Sequence, residues 1–278
     1  MATQTIGAAR ITSLIAGEFQ WSLDRELNVP VVERSSALEH FFITPARMPA
    51  TCFLIQTDDV ALLVDSCDIT AFAGTRFTLP EPQTAQTTPQ HLTALGIAPE
   101  TITHVVITHG HYDHYSALTT ERDGALMPAF PNARHFLGRS DWEHPELLSD
   151  LANPDSLEWR TLGTVQRAGL LDLVDALMAI CPGLDILPAP GETPGHLIVR
   201  LRSDGESLYC TGDLYHHPVE IDHPLWMPRQ SDISANLASR AALVEAAVRE
   251  DALIAAAHFP TVGRIRVEGN WIRWIGEE

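Results

Sequence analysis

The run "THGHYDH", residues 108–114, brings His109, His111, Asp113 and His114 close together. Imidazole nitrogens suit zinc, iron or cobalt, and a carboxylate suits a shared or second ion. The run follows "THVVIT" (103–108), a continuous apolar stretch that reads as a buried strand. Its side chains therefore lie in a loop at a strand's end, where α/β proteins place chemistry. A tight turn can aim His109 and His111 at one ion and Asp113 and His114 at a neighbour. A His-rich run by itself also occurs as a surface patch. Three later residues change the weighing. His196 follows a Pro-Gly turn in "ETPGHLIVRL", Asp213 ends the strand-like run in "YCTGDLYH", and His258 ends another in "AAAHFP".

The elements that must position these residues are read from the pattern. "ATCFLIQTDDVALLVDSC" (50–67) is a hairpin around an Asp-Asp turn. "TPQHLTALGI" is a helix preceding the 103–108 strand. Three strand-like runs between 184 and 213 are separated by Gly, Pro and Asp-Gly turns. Residues 231–251 form an amphipathic helix with Ser231 or Asp232 as N-cap. "ALIAAAHF" (252–259) is a strand, and "GRIRVEGNWIRWIG" a closing hairpin. Residues 68–90 form a long polar loop of the kind that serves as a binding loop or lid. Residues 156–181 read as a helical insertion beside the site. Alternating strands and helices imply α/β layering in one domain over 1–278.

The order HxHxDH, a His after a "TPG" turn, an Asp after a "TG" strand end and a final "AAH" resembles the metallo-β-lactamase superfamily, from the 50–67 hairpin to the last strand. The resemblance implies a four-layer αββα sandwich with two divalent metal ions at one edge of the sheets, zinc foremost, with manganese, iron or cobalt compatible. It implies that His109, His111 and His196 hold one ion, that Asp113, His114 and His258 hold the other, and that Asp213 bridges them. Asp65, ending "LLVD", matches the superfamily's buried aspartate, which supports a ligand from behind. Cys67 stands where that motif usually has Gly. It reads as a small buried residue, the alternative being a thiol close enough to affect the metals.

Two adjacent metals acidify a shared water into a hydroxide nucleophile, with Asp113 and Asp213 orienting it and Asp113 shuttling a proton. The expected reaction is hydrolysis of a lactone or carboxylic ester, as in the quorum-quenching lactonase branch. That branch carries a Tyr three residues after the bridging Asp. Here the position is His216, with Tyr215 one earlier, and either can donate to a developing oxyanion. The C-terminal "AAHFPTVGRIRVEGNWIRWI" resembles methyl parathion hydrolase-like enzymes, so an aryl-ester or phosphotriester hydrolase is the alternative. A glyoxalase II-type thioesterase lacks its basic C-terminal segment here, and a true β-lactamase lacks its export signal. A non-catalytic metal-binding scaffold is the reading from another class. Phe72 and Phe77 in the 68–88 loop, and Trp226 and Met227 after Asp213, are candidates for an apolar substrate pocket.

Composition narrows the partners. The 278 residues carry a net charge of −18, a surface that repels phosphate backbones and anionic lipid. All 18 basic residues are Arg, which excludes Schiff-base, Ser-Lys and P-loop lysine chemistry. Cys52, Cys67, Cys181 and Cys210 form no CxxC pair. No long apolar span and no secretory leader are read, so a cytoplasmic enzyme acting on a small molecule is expected, with homodimerisation an expectation by analogy.

Overall fold

The computed structural model describes residues 2–34, 38–269 and 271–277. Two seven-stranded sheets form its centre. The first runs in the order β1 (Thr3–Ile6), β2 (Ala9–Trp21), β3 (Ala46–Gln56), β4 (Ala61–Val64), β5 (His104–Val106), β8 (Arg134–Gly138), β9 (Leu171–Val174). A small hairpin, β6 (Thr119–Arg122) and β7 (Ala125–Pro128), stands apart. The second sheet runs in chain order through β10 (Met178–Cys181), β11 (Leu184–Pro188), β12 (Leu197–Ser203), β13 (Glu206–Cys210), β14 (Leu253–Ala255), β15 (Gly263–Glu268) and β16 (Trp271–Gly276). β4, β5, β8 and β9 are parallel neighbours, as are β13 and β14.

Side-chain alternation builds the layers. On β3 and β4, Phe53, Ile55, Leu62 and Val64 face one way and Leu54 and Leu63 the other, the period-two pattern of a strand. The first set meets Leu184, Ile186, Val199, Leu201 and Leu208 of the second sheet in a core between the sheets. Leu54, Leu63 and Val105 pack outward against Leu92 of α3 (Thr88–Ala94) and Leu162 and Val165 of α7 (Leu162–Arg167). On the far side, Ile198, Tyr209 and Ile254 meet Leu243 and Ala247 of α9 (Ile233–Glu250). The layer order is helices, sheet, sheet, helix, the expected αββα sandwich.

Local chemistry sets the helix ends. Thr87 and Gln90 form a capping box at α3, with Pro89 in the first turn. Asp232 accepts the Ala235 N–H at the start of α9, and Asp251 ends that helix in the left-handed conformation. Shorter helices occupy connections: α1 (Leu23–Glu26), α2 (His40–Ile43), α4 (Arg139–Trp142), α5 (Pro145–Leu151), α6 (Leu157–Arg160) and α8 (Val219–Asp222). No helix among the described residues is long and apolar enough to cross a membrane.

The 156–181 segment departs from its helical reading. α6 and α7 end at Arg167, and Leu171–Val174 and Met178–Cys181 are then the edge strands β9 and β10, so the segment carries the chain from the first sheet to the second. Four-residue strands are too short to show a period against a helical neighbour. The closing hairpin forms as read, its turn residue Asn270 lying outside the described residues.

His135 on β8 is buried, its Nδ1 3.2 Å from the Ala133 carbonyl oxygen. Burial pushes it down to about 4. An unfolded histidine titrates near 6.5, so its contribution to stability is complete above that pH and is lost as pH falls toward 4, about 3 kcal/mol in all. Urea titrations of the wild type and His135→Leu should diverge over this window, the variant showing the shallower decline. Parallel curves would refute the assignment.

Candidate metal centre

The site residues gather where parallel strands end. Asp65 follows β4, Thr108 and His109 follow β5, Asp213 follows β13 and His258 follows β14. His196 immediately precedes β12, which is antiparallel to β13 and so brings it to the same edge. The two sheets thus deliver their polar loops to one rim. They are stitched there by Leu197 N–H donating to the Thr108 carbonyl (2.7 Å) and Thr51 N–H donating to the Ala257 carbonyl (2.9 Å).

His114 and His258 are oriented from behind. Asp65, in the left-handed region at φ 62°, accepts the Thr108 N–H (2.7 Å) and hydroxyl (3.0 Å), and lies 2.8 Å from His114 Nδ1. Asp tolerates that backbone conformation better than a bulky residue does. Facing a carboxylate, His114 Nδ1 carries the proton, so Nε2 points inward, 3.4 Å from both Asp113 and Asp213. His258 repeats the arrangement. Its Nδ1 donates to the Pro49 carbonyl (2.9 Å), and Nε2 lies 3.1 Å from Asp213 Oδ1 and 3.4 Å from Asp113. His109 Nε2 and His111 Nδ1 approach to 2.8 Å, two nitrogens aimed at common space.

The electrostatics divide the histidines. Burial drives His109 well below its ordinary value and His196 down to about 3. His109 is thus neutral, and its 3.8 Å approach to Asp213 is not an ion pair. Burial also disfavours charge on His114, His216 and His258, but neighbouring carboxylates more than reverse it, lifting His258 to about 10. Conversely, burial pushes Asp113 and Asp213 up, and the imidazoles around them bring both well below the usual carboxylate range.

These donors fit divalent cations. Asp113, His114, Asp213 and His258 each offer a ligand atom within 4.8 Å of the others, as do His109, His111 and Asp213, so Asp213 belongs to both groups. His114 Nε2 is buried inside the protein without a hydrogen-bond partner, a cost that a bound cation removes. His196 stands beside His109, ring centroids 5.1 Å apart, with Nδ1 unpartnered and Nε2 3.2 Å from the Asp213 amide. It adjoins the second group without sharing its 4.8 Å radius.

The remaining sequence candidates separate. His216 enters the site: its ring lies flat on Trp21 (5.0 Å, 3°), and Nε2 is 3.1 Å from Asp213. Tyr215 faces the opposite way, into the core under α9, with the Arg240 guanidinium over its ring. Phe72 and Phe77 line a cavity of about 240 Å³ over the His/Asp cluster. Trp226 and Met227 do not line it. Both are buried, and Trp226 donates its indole N–H to Glu33 (2.8 Å), so their pocket role is corrected to packing. Cys67 is buried in the first sheet's outer core, and burial pushes its thiol well up, keeping it protonated.

Sequence reasoning missed several residues. Phe19 and Trp21 reach the cavity from β2. Its thirteen residues are buried on both faces in places, which erases the alternation that signals a strand. Glu192, buried, accepts from Gln230 (2.9 Å) and Ser231 (2.6 Å) and lies 3.8 Å from both His111 and His216. The quoted "ETPGH" contains it, but nothing local marks it as buried. Glu220 and Arg240 form a buried ion pair. Glu220 accepts the His216 and His217 N–H groups (2.8 Å each), and Arg240 donates to the Leu214 (2.9 Å) and Trp226 (2.7 Å) carbonyls. Together they pin the loop that presents His216.

A sandwich of this layer order, with a His/Asp cluster at the shared rim of its sheets, defines a class of metal-site protein. The model of the metallo-beta-lactamase superfamily matches residues 46–258, and the chain belongs to that superfamily. It is 26% identical over 195 residues to a probable metallo-hydrolase of Mycobacterium tuberculosis, covering 63% of this chain and 59% of the relative. The chain therefore matches about three-fifths of that relative's length. Among solved structures it is similar to AbOPH, described as a hydrolase of the beta-lactamase superfamily (21% identity, 99% of this chain and 97% of the other, TM-score 0.77). It is also similar to AidC, a dizinc quorum-quenching lactonase (21%, 100% and 97%, 0.75), and to a probable metal-dependent hydrolase from Staphylococcus aureus (20%, 99% and 99%, 0.76). At these identities the likeness establishes the shared fold.

Removing one partner of the buried pair leaves an uncompensated charge. Arg240→Met should therefore cost about 3–5 kcal/mol in urea unfolding. Adding Glu220→Gln should restore part of that. Equal losses in the single and double variants would show that the buried charge is not the source of the cost.

Proposed function

We propose that the chain is a metal-dependent hydrolase opening a lactone or cleaving a carboxylic ester. The observation that carries this reading is the cluster of inward-facing imidazole and carboxylate atoms beneath a cavity walled by aromatic rings. In this reading His109, His111 and His196 hold one divalent ion, Asp113, His114 and His258 the other, and Asp213 both. Zinc is the proposed ion, with manganese, iron and cobalt compatible with the same donors. When bound, the two ions supply Lewis acidity and acidify a water toward neutral pH.

The chain's own residues do the rest. Asp65 and the Pro49 carbonyl fix the tautomers of His114 and His258, so the inward nitrogens need no reorganisation. Asp113 is placed to accept a proton from the attacking water and pass it to the leaving oxygen. His216 Nε2, held by its stack on Trp21 and by Glu220 on its backbone, is placed to donate to the oxygen that gains charge. Phe19, Trp21, Phe72, Phe77 and Tyr112 shield the reacting bond from bulk water.

One feature favours the aryl-ester or phosphotriester reading as the second choice. Every apolar residue lining this cavity is aromatic, and Arg76 lies over the Phe77 ring, 4.5 Å from its centroid. Planar rings suit an aryl group, and a cavity of about 240 Å³ suits a compact substrate better than a long acyl chain. A cytoplasmic setting is also proposed, supported by four cysteines that are all unbridged.

Chelation should abolish hydrolysis and added divalent metal restore it. Asp213→Asn should lower kcat/KM by about 100-fold or more with the fold retained by circular dichroism. Activity indifferent to both would defeat the metal assignment. The substrate class is tested by kcat/KM for an acyl-homoserine lactone beside an aryl ester and an aryl phosphotriester, in the wild type and Trp21→Ala. If the lactone is the substrate, it is preferred in the wild type and loses most on Trp21→Ala. An aryl preference, lost in the variant, selects the second reading.

A further inference from the structure

The proposed ligand sets draw on loops from different sheets. His109 and His111 follow β5 in the first sheet, while His196 precedes β12 in the second. Backbone stitching at Thr108 and Leu197 sets the strands, but the Gly110 and Thr193–Gly195 segments still have to be held at a fixed separation. One side chain spans them. Asp141, in the four-residue helix α4 after β8, is 3% exposed. Its Oδ2 accepts the Gly110 N–H (2.9 Å) and the Thr193 hydroxyl (2.7 Å), and its Oδ1 accepts the Gly195 N–H (2.6 Å).

The surroundings leave no slack. A Cβ on Gly195 would come within 2.5 Å of the Asp141 amide nitrogen, and one on Gly138 within 1.9 Å of the Gly195 carbonyl oxygen. Such approaches are closed to any larger side chain without moving backbone. Three donors converge on one buried carboxylate, and no cation is paired with it among the described residues. An isolated buried carboxylate is expensive, so its hydrogen bonds define a single arrangement of the two loops. Gly110 lies between His109 and His111, and Gly195 directly precedes His196.

From this geometry we propose that Asp141 is the positioning residue of the His109/His111/His196 set, fixing the spacing between two loops of different sheets and thereby the affinity for one of the two ions. The proposal rests on the two-metal reading given above. Asp141 touches no ligand side chain of the Asp113/His114/His258 set, which is oriented instead through Asp65 and Pro49. Its loss is therefore selective. Outer hydrogen-bond partners of metal ligands change affinity by about 10–100-fold, and this is the range expected here for one ion.

The test is metal retention rather than turnover. Wild type and Asp141→Asn, loaded with cobalt, are titrated with a competing chelator while bound metal per chain is measured. The expected result is two ions in the wild type, with one released from Asp141→Asn at a chelator activity about 10–100-fold lower and the other unaffected. In a His258→Ala background, which weakens the other set, Asp141→Asn should loosen the remaining ion by the same factor. In a His196→Ala background it should change little. Thr193→Val removes one donor of the three and gives a smaller loss in the same direction, which keeps the test intact if Asp141→Asn does not fold. Retention of both ions at wild-type affinity overturns the proposal. So does equal weakening of both accompanied by a lower Tm of the metal-free chain, the signature of a merely structural role. Fewer than two ions in the wild type instead refutes the two-metal reading, and it shows before any variant is made.

Discussion

Two carboxylates and six imidazoles meet at the rim of the two sheets, most of them buried. Asp113 and Asp213 carry like charge near one another, and like charges that close are held together only by positive charge between or beside them. Those carboxylates favour the charged form of His114, His216 and His258, lifting all three above the ordinary imidazole range. The inward atoms of His114 and His258, with Asp113 and Asp213, form one donor group for a divalent ion. Much of the remaining architecture serves this constraint. The contacts of Asp65 and Pro49 keep the inward nitrogens of His114 and His258 aimed at one centre, and burial holds His109 and His196 neutral beside it.

The site draws on both sheets but is supported differently by each. On the first sheet, the ligands ride on a strand end and a short turn that Asp65 grips through three contacts. On the second, the loop bearing Asp213 and His216 is long and depends on the Glu220–Arg240 pair for its path. A buried pair of this kind contributes definition of a loop more than net stability. The cavity walls are likewise divided, Phe19 and Trp21 coming from strand β2 and Phe72, Phe77 and Tyr112 from connections.

Much of this was legible in the sequence. The seven metal-type residues stand at strand ends because short apolar runs closed by turn residues have few other readings, and the structure brings them to one rim, with His196 standing slightly apart. The capping chemistry of α9 and the hairpin at residues 50–67 were likewise local. What escaped depended on partners distant in the chain. β2 is covered in part on both faces and so shows no clean alternation. Short edge strands passed for part of a helical segment. Trp226 looked like a pocket wall because an aromatic residue near a site carries no mark of which way it points. Asp141, Glu192 and Arg240 are charged residues in ordinary contexts, and only the fold shows that each is buried and bound to loops far along the chain.

The seam where Gly138, Gly195 and Asp141 touch has a consequence for how such a protein can change. A single added methyl group at either glycine collides with backbone, so the positions on this line are interdependent and admit replacement only in concert. The rings of Phe19, Trp21, Phe72 and Phe77 sit on other segments and share no atom contacts with that seam in the hydrogen-bond network. Tolerance to change is therefore uneven: Phe77, on the loop after β4, touches no proposed metal ligand and can be replaced alone, whereas the edge where the sheets are pinned changes only in concert.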